Sequence, residues 1–302
     1  MTDIIIHCAV ALIFPPLMLG VIAKTKAAFA GRVGAPYFQP YYDLIKLFRK
    51  GSVFSETTTW VFRAGPVVTL SATLIAVLLI PLGRHAAPIS FSGDLILFAY
   101  LFGLSRFFTT IAALDTGSSF EGMGAAREVT FACLAEPTLF ITLITLARMS
   151  KSLNLSTILT NPTPAIWLAD GASMLLLTGA LFITLLAENC RIPFDDPNTH
   201  LELTMIHEVM VLDHSGPAFG IILYSAALKL FVLGAVFANV ALPIATGNAL
   251  ADWAIFIVAM LALAITIGIV ESVMARLRLL RVPQLLVGAT ILSAFAMMLV
   301  LR

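Results

Sequence analysis

Residues 253–270 read WAIFIVAMLALAITIGIV, eighteen positions without one charged side chain. At about 1.5 Å per residue such a run makes a helix of about 27 Å, close to the roughly 30 Å hydrocarbon core of a bilayer. A strand of a soluble core is far shorter, and a soluble helix of this length needs a wetted face. The stretch therefore reads as a membrane span. Working outward, comparable runs extend approximately over Ile4–Ile22, Phe62–Leu82, Leu95–Leu114, Val129–Met149, Ile166–Ala187, Ala218–Leu242 and Val282–Leu301. With Trp253–Val270 they make eight. Composition agrees: 60% of the 302 residues are hydrophobic and 12% charged, where a soluble domain runs to about a quarter charged because water covers its surface. The fold class is all-α integral membrane with about eight transmembrane helices. Residues 1–302 read as a single polytopic membrane domain, with no dividing linker and no transporter-type repeat.

The first apolar run lacks a basic leader and a small-residue cleavage site, so it reads as a retained span rather than a signal peptide. Cys8, Cys133 and Cys190 are far apart and form no metal or iron–sulfur framework. Nothing in the charge pattern suits nucleic acid.

Orientation follows from the cations. The connections after spans one, three, five and seven hold Lys24, Lys26, Arg32, Lys46, Arg49, Lys50, Arg63, Arg127, Arg191, Arg276, Arg278 and Arg281, twelve of the eighteen. Cytoplasmic loops carry the excess of Lys and Arg, so these connections are expected in the cytoplasm and both termini outside. In the first of them, after Pro40, the order Tyr41, Tyr42, Leu44, Ile45, Leu47, Phe48 predicts a short amphipathic helix lying in the membrane interface. Lys46 and Arg49 on its polar side face headgroups or a docking partner.

Ionisable groups within spans are costly, at least ~2.5 kcal/mol each at the bilayer centre unless paired or solvated. Glu136 lies in span four just before Pro137 and Lys229 midway along span six; Arg106, inside span three, weakens the reading of that span. Glu128 and Glu136, eight positions apart, share a helical face. Their bland reading is a buried ion pair; their functional one is a station on a proton path. The densest constellation follows span five, where AENCRIPFDDPNTHLELTMIHEVMVLD (187–213) carries Glu188, Arg191, Asp195, Asp196, Glu202, Glu208 and Asp213. His200, His207 and His214 recur at intervals of seven, which invites a metal reading. Metal-binding helices place ligands at i and i+4, and Pro197 interrupts regular helix, so proton entry or coupling suits the loop better.

Four separated segments resemble one family in the same order. AENCRIPFDDP (187–197) with Glu202 and Leu203 is similar to the AE-x-x-R-x-PFD-x-P…EL segment of the subunit 1 family of respiratory complex I. LDTGSSFEGMGAARE (114–128), ESVMARLRL (271–279) and GRVGAPYFQPYYDLIKLFRK (31–50) also match that family, the first two most closely in its counterparts from membrane-bound group 4 nickel–iron hydrogenases and formate hydrogenlyases.

The resemblance implies a membrane subunit without a cofactor of its own, joining a peripheral module to antiporter-like ion-pumping subunits. Iron–sulfur clusters and a nickel–iron centre are expected on partner chains: hydrogenase-like large and small subunits and an iron–sulfur protein. It implies a prokaryotic cytoplasmic (inner) membrane and a proton or sodium relay through Glu136, Glu188, Asp195 and Glu202, to which the charge pattern of the residues adds Glu128, Glu208, Asp213 and Lys229. Arg127, Arg191, Lys46, Arg49 and Arg276 would balance charge or support docking, Arg127 as a loop residue. ARLRLLRVPQ (275–284) replaces the complex I pattern after span seven, the loop 203–213 is longer, and His200 stands at an acidic position. These departures favour the hydrogenase type over a quinone-reducing arm. A secondary transporter, the alternative from another class, lacks support from a repeat.

Overall fold

The computed structural model describes residues 2–195 and 206–302. Its long helices are α1 (Thr2–Phe29), α3 (Trp60–Leu79), α4 (Asp94–Asp115), α5 (Ser119–Ser150), α8 (Gly171–Glu188), α9 (Gly216–Ala241), α10 (Ala249–Val273) and α11 (Val282–Leu301). Between them lie the short helices α2 (Gln39–Phe48), α6 (Leu155–Thr160) and α7 (Pro164–Ala169). Among the described residues, eight helices are long and apolar enough to cross a membrane, and the fold is all-helical. The eight spans return the C-terminus to the side of the N-terminus.

Two boundaries differ from the sequence reading. Span five begins at Gly171, not Ile166, because the chain breaks at Asp170 and the Pro-led α7 forms a separate turn. Span four starts ten residues earlier, at Ser119, so Arg127 and Glu128 sit on α5 rather than in a loop. The charged and small residues of 119–128 hid that extension, since hydropathy marks only the apolar part of a helix.

Helix α9 is the most buried span. Around it α1 packs on α10 and α9, α3 lies along α4 and α9, and α11 fits between α5 and α8. No water competes for backbone groups at bilayer depth, so helix interruptions need internal partners. Pro16 has no N–H to give the Leu12 carbonyl one turn back. Tyr224 Oη of α9 donates to that carbonyl at 2.8 Å, and Tyr41 Oη of α2 donates to the neighbouring Ile13 carbonyl. The Val77 carbonyl, whose helical donor would be Pro81, is within 3.1 Å of His7 Nε2, and Asn239 Nδ2 donates to the Pro81 carbonyl at 2.8 Å. At the same end Arg84 gathers the carbonyls of Thr160, Pro162 and Ile244, tying three loops to one side chain.

The amphipathic helix is present at 39–48, with all its residues half-buried or exposed. Tyr41, Leu44 and Leu47 turn toward the body, Tyr42, Ile45 and Phe48 stay exposed, and Asp43, Lys46 and Arg49 are solvent-facing or marginal. Gly20 admits the chain leading into it: a methyl group there would overlap the Tyr37 carbonyl oxygen.

Tyr224→Phe removes the donor from a carbonyl freed by Pro16 at an outward-facing position of a membrane span, where no water competes to replace it. The expected cost is about 1–3 kcal/mol, read as a lower midpoint of thermal unfolding in detergent; an unchanged midpoint would show that the Leu12 carbonyl finds another donor.

Candidate functional site

Arg106 lies on α4, nine residues or about 13 Å of helix from Asp115. A guanidinium offers five N–H donors in a rigid fork, so one Arg can serve several carboxylates where a Lys would serve fewer. Its Nη2 donates to both Glu188 oxygens at 2.7 and 2.8 Å, and Nη1 donates to Glu136 Oε1. Nε stands 3.6 Å from Glu128 Oε1, an ion pair rather than a hydrogen bond. Lys229 of α9 also reaches Glu188, meeting Oε2 at 2.9 Å. Four helices, α4, α5, α8 and α9, are thus joined through one cluster of two cations and three carboxylates.

The helix geometry explains the assembly. Glu128 and Glu136, two turns apart on α5, both face Arg106, as their spacing predicts. Glu188, the last residue of α8, enters from the end of its helix and is almost fully enclosed, its side chain 6% exposed.

Beyond Glu188 the chain carries the ionic contacts to the basic end of the molecule. Arg191 Nη1 lies 3.3 Å from Glu271 Oε1 of α10, and Lys26 of α1 meets the other oxygen at 2.9 Å. Asp195 pairs with Arg276 at 2.6 Å and accepts the Ile206 amide at 2.9 Å. The Leu277 amide donates to the Pro193 carbonyl, so the segment after α8 and the segment after α10 are bound twice. Ion pairs therefore run from the depth of Glu136 to the surface at Arg276, the two groups separated by the short step from Glu188 to Arg191.

Glu208 lies in the 3₁₀ turn Glu208–Val211, packed on α5, and the Asp213 amide donates to Glu121 at 3.1 Å. Neither residue joins the Arg106 cluster. Arg127 directs Nη2 to Met123 Sδ at 2.9 Å on its own helix. Lys46 and Arg49 stay at the α2 surface, away from the ion pairs. Glu202, Asp196 and His200 fall outside the described residues. His207 precedes the 3₁₀ turn and His214 follows it, so no helix aligns them as a ligand row, and no cluster suited to a metal occurs among the described residues. Burial pushes both imidazoles down, His214 to about 4, where its ring stacks 3.9 Å from Phe62. Both are neutral at neutral pH. The Cys190 thiol, buried among carboxylates, is pushed well up and stays protonated.

The fold brings Glu128, Glu136, Glu188 and Lys229 into one neighbourhood, and the cation that unites them is the one sequence reasoning did not select. Arg106 counted as a blemish in span three; a cation within one span and the acid Glu136 within the next were the available signal. Glu271 stood in a recognised motif yet was not selected, because at the apparent end of a span an acid needs no partner.

A family model described as NADH dehydrogenase matches residues 2–302. The chain belongs to that family, the one of complex I subunit 1. Formate hydrogenlyase subunit 4 of Escherichia coli is 32% identical over 282 residues, covering 91% of this chain and 90% of the relative. Hydrogenase-4 component C of the same organism is 32% identical, covering 78% and 74%. An NADH-quinone oxidoreductase subunit of Rickettsia peacockii is 28% identical over 65% of this chain and 60% of its own length. The fold is shared with a chain of an archaeal respiratory membrane complex, the membrane-bound sulfane sulfur reductase, at a TM-score of 0.83, 23% identity and 99% and 98% coverage.

Removing one partner from a buried ion network leaves uncompensated charge, at about 3–5 kcal/mol. Arg106→Gln should therefore lower the unfolding midpoint in detergent sharply, and adding Glu188→Gln should recover part of the loss. A single variant as stable as the parent would show that the cluster does not hold α4, α5, α8 and α9 together.

Proposed function

We propose that this chain anchors and couples a multi-subunit, energy-converting oxidoreductase of the hydrogenase type. Two lines support the reading: relatives named as formate hydrogenlyase and hydrogenase-4 subunits match over three quarters of the chain or more, and an ionisable cluster lies within its membrane spans. The cluster is the observation that carries it. A purely structural anchor gains little from three carboxylates at this depth, each of which must be desolvated.

In this reading the electron chemistry belongs to partner chains bearing iron–sulfur clusters and a nickel–iron centre, and this chain holds no cofactor. The partners are hydrogenase-like large and small subunits, an iron–sulfur protein and antiporter-like membrane subunits. The membrane is a prokaryotic inner membrane. The basic end, with Lys26, Arg191 and Arg276, faces the cytoplasm, and both termini face outward.

The residues have separable tasks. Asp195–Arg276 and Glu271 between Lys26 and Arg191 bind the segment after α8 to α1 and α10, so a peripheral module docking there bears on Glu188 through a short stretch of chain. Arg106 holds Glu128, Glu136 and Glu188 against one another, and Lys229 draws on Glu188 alone. A shift of Glu188 between its two cations would change the charge felt by Glu136. Glu136, half-buried rather than enclosed, is the group best placed to exchange a proton or bind a cation in response.

Tagging the chain, extracting it in mild detergent and identifying every co-purifying subunit tests the assembly. A partner with two CxxC nickel-ligand pairs and hydrogen evolution is expected; a flavin-bearing NADH module, or the chain alone, would refute the hydrogenase reading. In the reconstituted complex Glu136→Gln should assemble normally yet lose activity or its coupling to ion movement, and full coupled turnover would remove Glu136 from the relay.

A further inference from the structure

Three buried polar atoms gather at the end of the bundle that holds both termini, and none has a partner among the described residues: His7 Nδ1, His85 Nε2 and Trp253 Nε1. His7 and Trp253 are 1% and 5% exposed, and the His85 side chain 11%. They belong to α1, the α3–α4 connection and α10. The His85 ring stacks on the Trp253 indole at 4.2 Å, and its Nδ1 turns to Asp3 Oδ1 at 3.7 Å. Asp3 and His7 stand at i and i+4 on one face of α1, so His7 lies one turn further in, close enough to His85 for their charges to interact. Arg84 and Asp252, the chain neighbours of His85 and Trp253, line an adjoining cavity of about 20 Å³ with Asn239 and Phe256.

The hydrogen-bonding character of the three atoms selects their ligand. The Val77 carbonyl, 3.1 Å from His7 Nε2, only accepts, so Nε2 carries the proton and Nδ1 presents a lone pair. His85 directs Nδ1 at a carboxylate, which draws the proton there and leaves Nε2 as a second acceptor. Trp253 Nε1 only donates. A metal ion is turned away by the indole N–H and an anion by the two lone pairs. Water satisfies all three, since it donates two protons and accepts others, and a buried water makes about three hydrogen bonds. The adjoining cavity is large enough for one more, which needs about 10–15 Å³. Left unmatched, each atom would carry the full penalty of desolvation.

We propose that this end of the bundle is a water-binding site, in which water bridges Trp253 Nε1, His7 Nδ1 and His85 Nε2 and continues past Asp3, whose side chain is 61% exposed, to the solution. The site brings the aqueous phase on the side of the termini to a titratable nitrogen within a membrane span, at the end of the molecule opposite Arg276. It goes beyond the coupling reading and does not rest on it.

Radiolytic footprinting of the unaltered chain in its complex tests it. A millisecond X-ray pulse turns bound water into hydroxyl radicals in place, so side chains beside that water are oxidised although they are buried. Mass spectrometry should find Trp253 and His7 oxidised several-fold faster than Met18, a more reactive side chain on α1 that is 0% exposed. Rates at Trp253 and His7 no higher than at Met18 would overturn the proposal. Ultraviolet resonance Raman spectra give a second readout, because an indole band reports whether Nε1–H is hydrogen-bonded. The difference between the parent and Trp253→Phe should show a hydrogen-bonded indole, and a free one would overturn the proposal as well. Should Trp253→Phe fail to fold, the footprint of the unaltered chain decides alone. Co-purifying subunits that refute the hydrogenase reading would leave this site standing, and a dry footprint would leave that reading standing.

Discussion

A guanidinium does not give up its proton at any pH a cell reaches, so Arg106 carries its charge into the membrane and must find its counter-ions there. That constraint organises the molecule. Glu128 and Glu136 are drawn to one face of α5, Glu188 to the end of α8, and Lys229 on α9 offsets part of the negative excess. The helices that contribute them then have little freedom in register, because turning any of them by a quarter would leave a charge in hydrocarbon. The surrounding apolar contacts, rich in Leu, Ala and Phe, are non-directional and fix distance more than rotation.

The same logic governs the backbone. Pro16 and Pro81 take donors away from the Leu12 and Val77 carbonyls, and the replacements come from distant elements, Tyr224 for α1 and His7 for the end of α3, while Tyr41 and Asn239 hold the neighbouring Ile13 and Pro81 carbonyls. Each replacement ties two spans at a defined depth. A membrane protein with few charges and few polar side chains concentrates its specificity in these sites and in the ionic cluster.

Much of this was legible in the sequence because lipid is an unforgiving solvent. The eight spans, the amphipathic helix at 39–48 and the carboxylates after span five all follow from what can and cannot be left in hydrocarbon. Arg127 was misread as a loop residue because α5 continues outside the apolar zone, where hydropathy carries no helix signal. The break at Asp170 was missed because α7 is as apolar as the span it precedes. Pairing was the least accessible layer. That Arg106 meets Glu188, 82 positions away, depends on α4 and α8 both packing against α5, which no local pattern encodes. The loop residues Glu208 and Asp213 looked equivalent to Glu188 by composition, and only the fold separates them from the cluster.

The proposed coupling turns on whether Glu136 changes protonation as electrons pass through the partner subunits. Infrared difference spectra of the reconstituted complex, recorded as its electron donor is added, address it directly. A protonated-carboxyl band that changes on reduction, is missing in Glu136→Gln and persists in Asp43→Asn is the expected result. Identical carboxyl bands in the parent and in Glu136→Gln would contradict it.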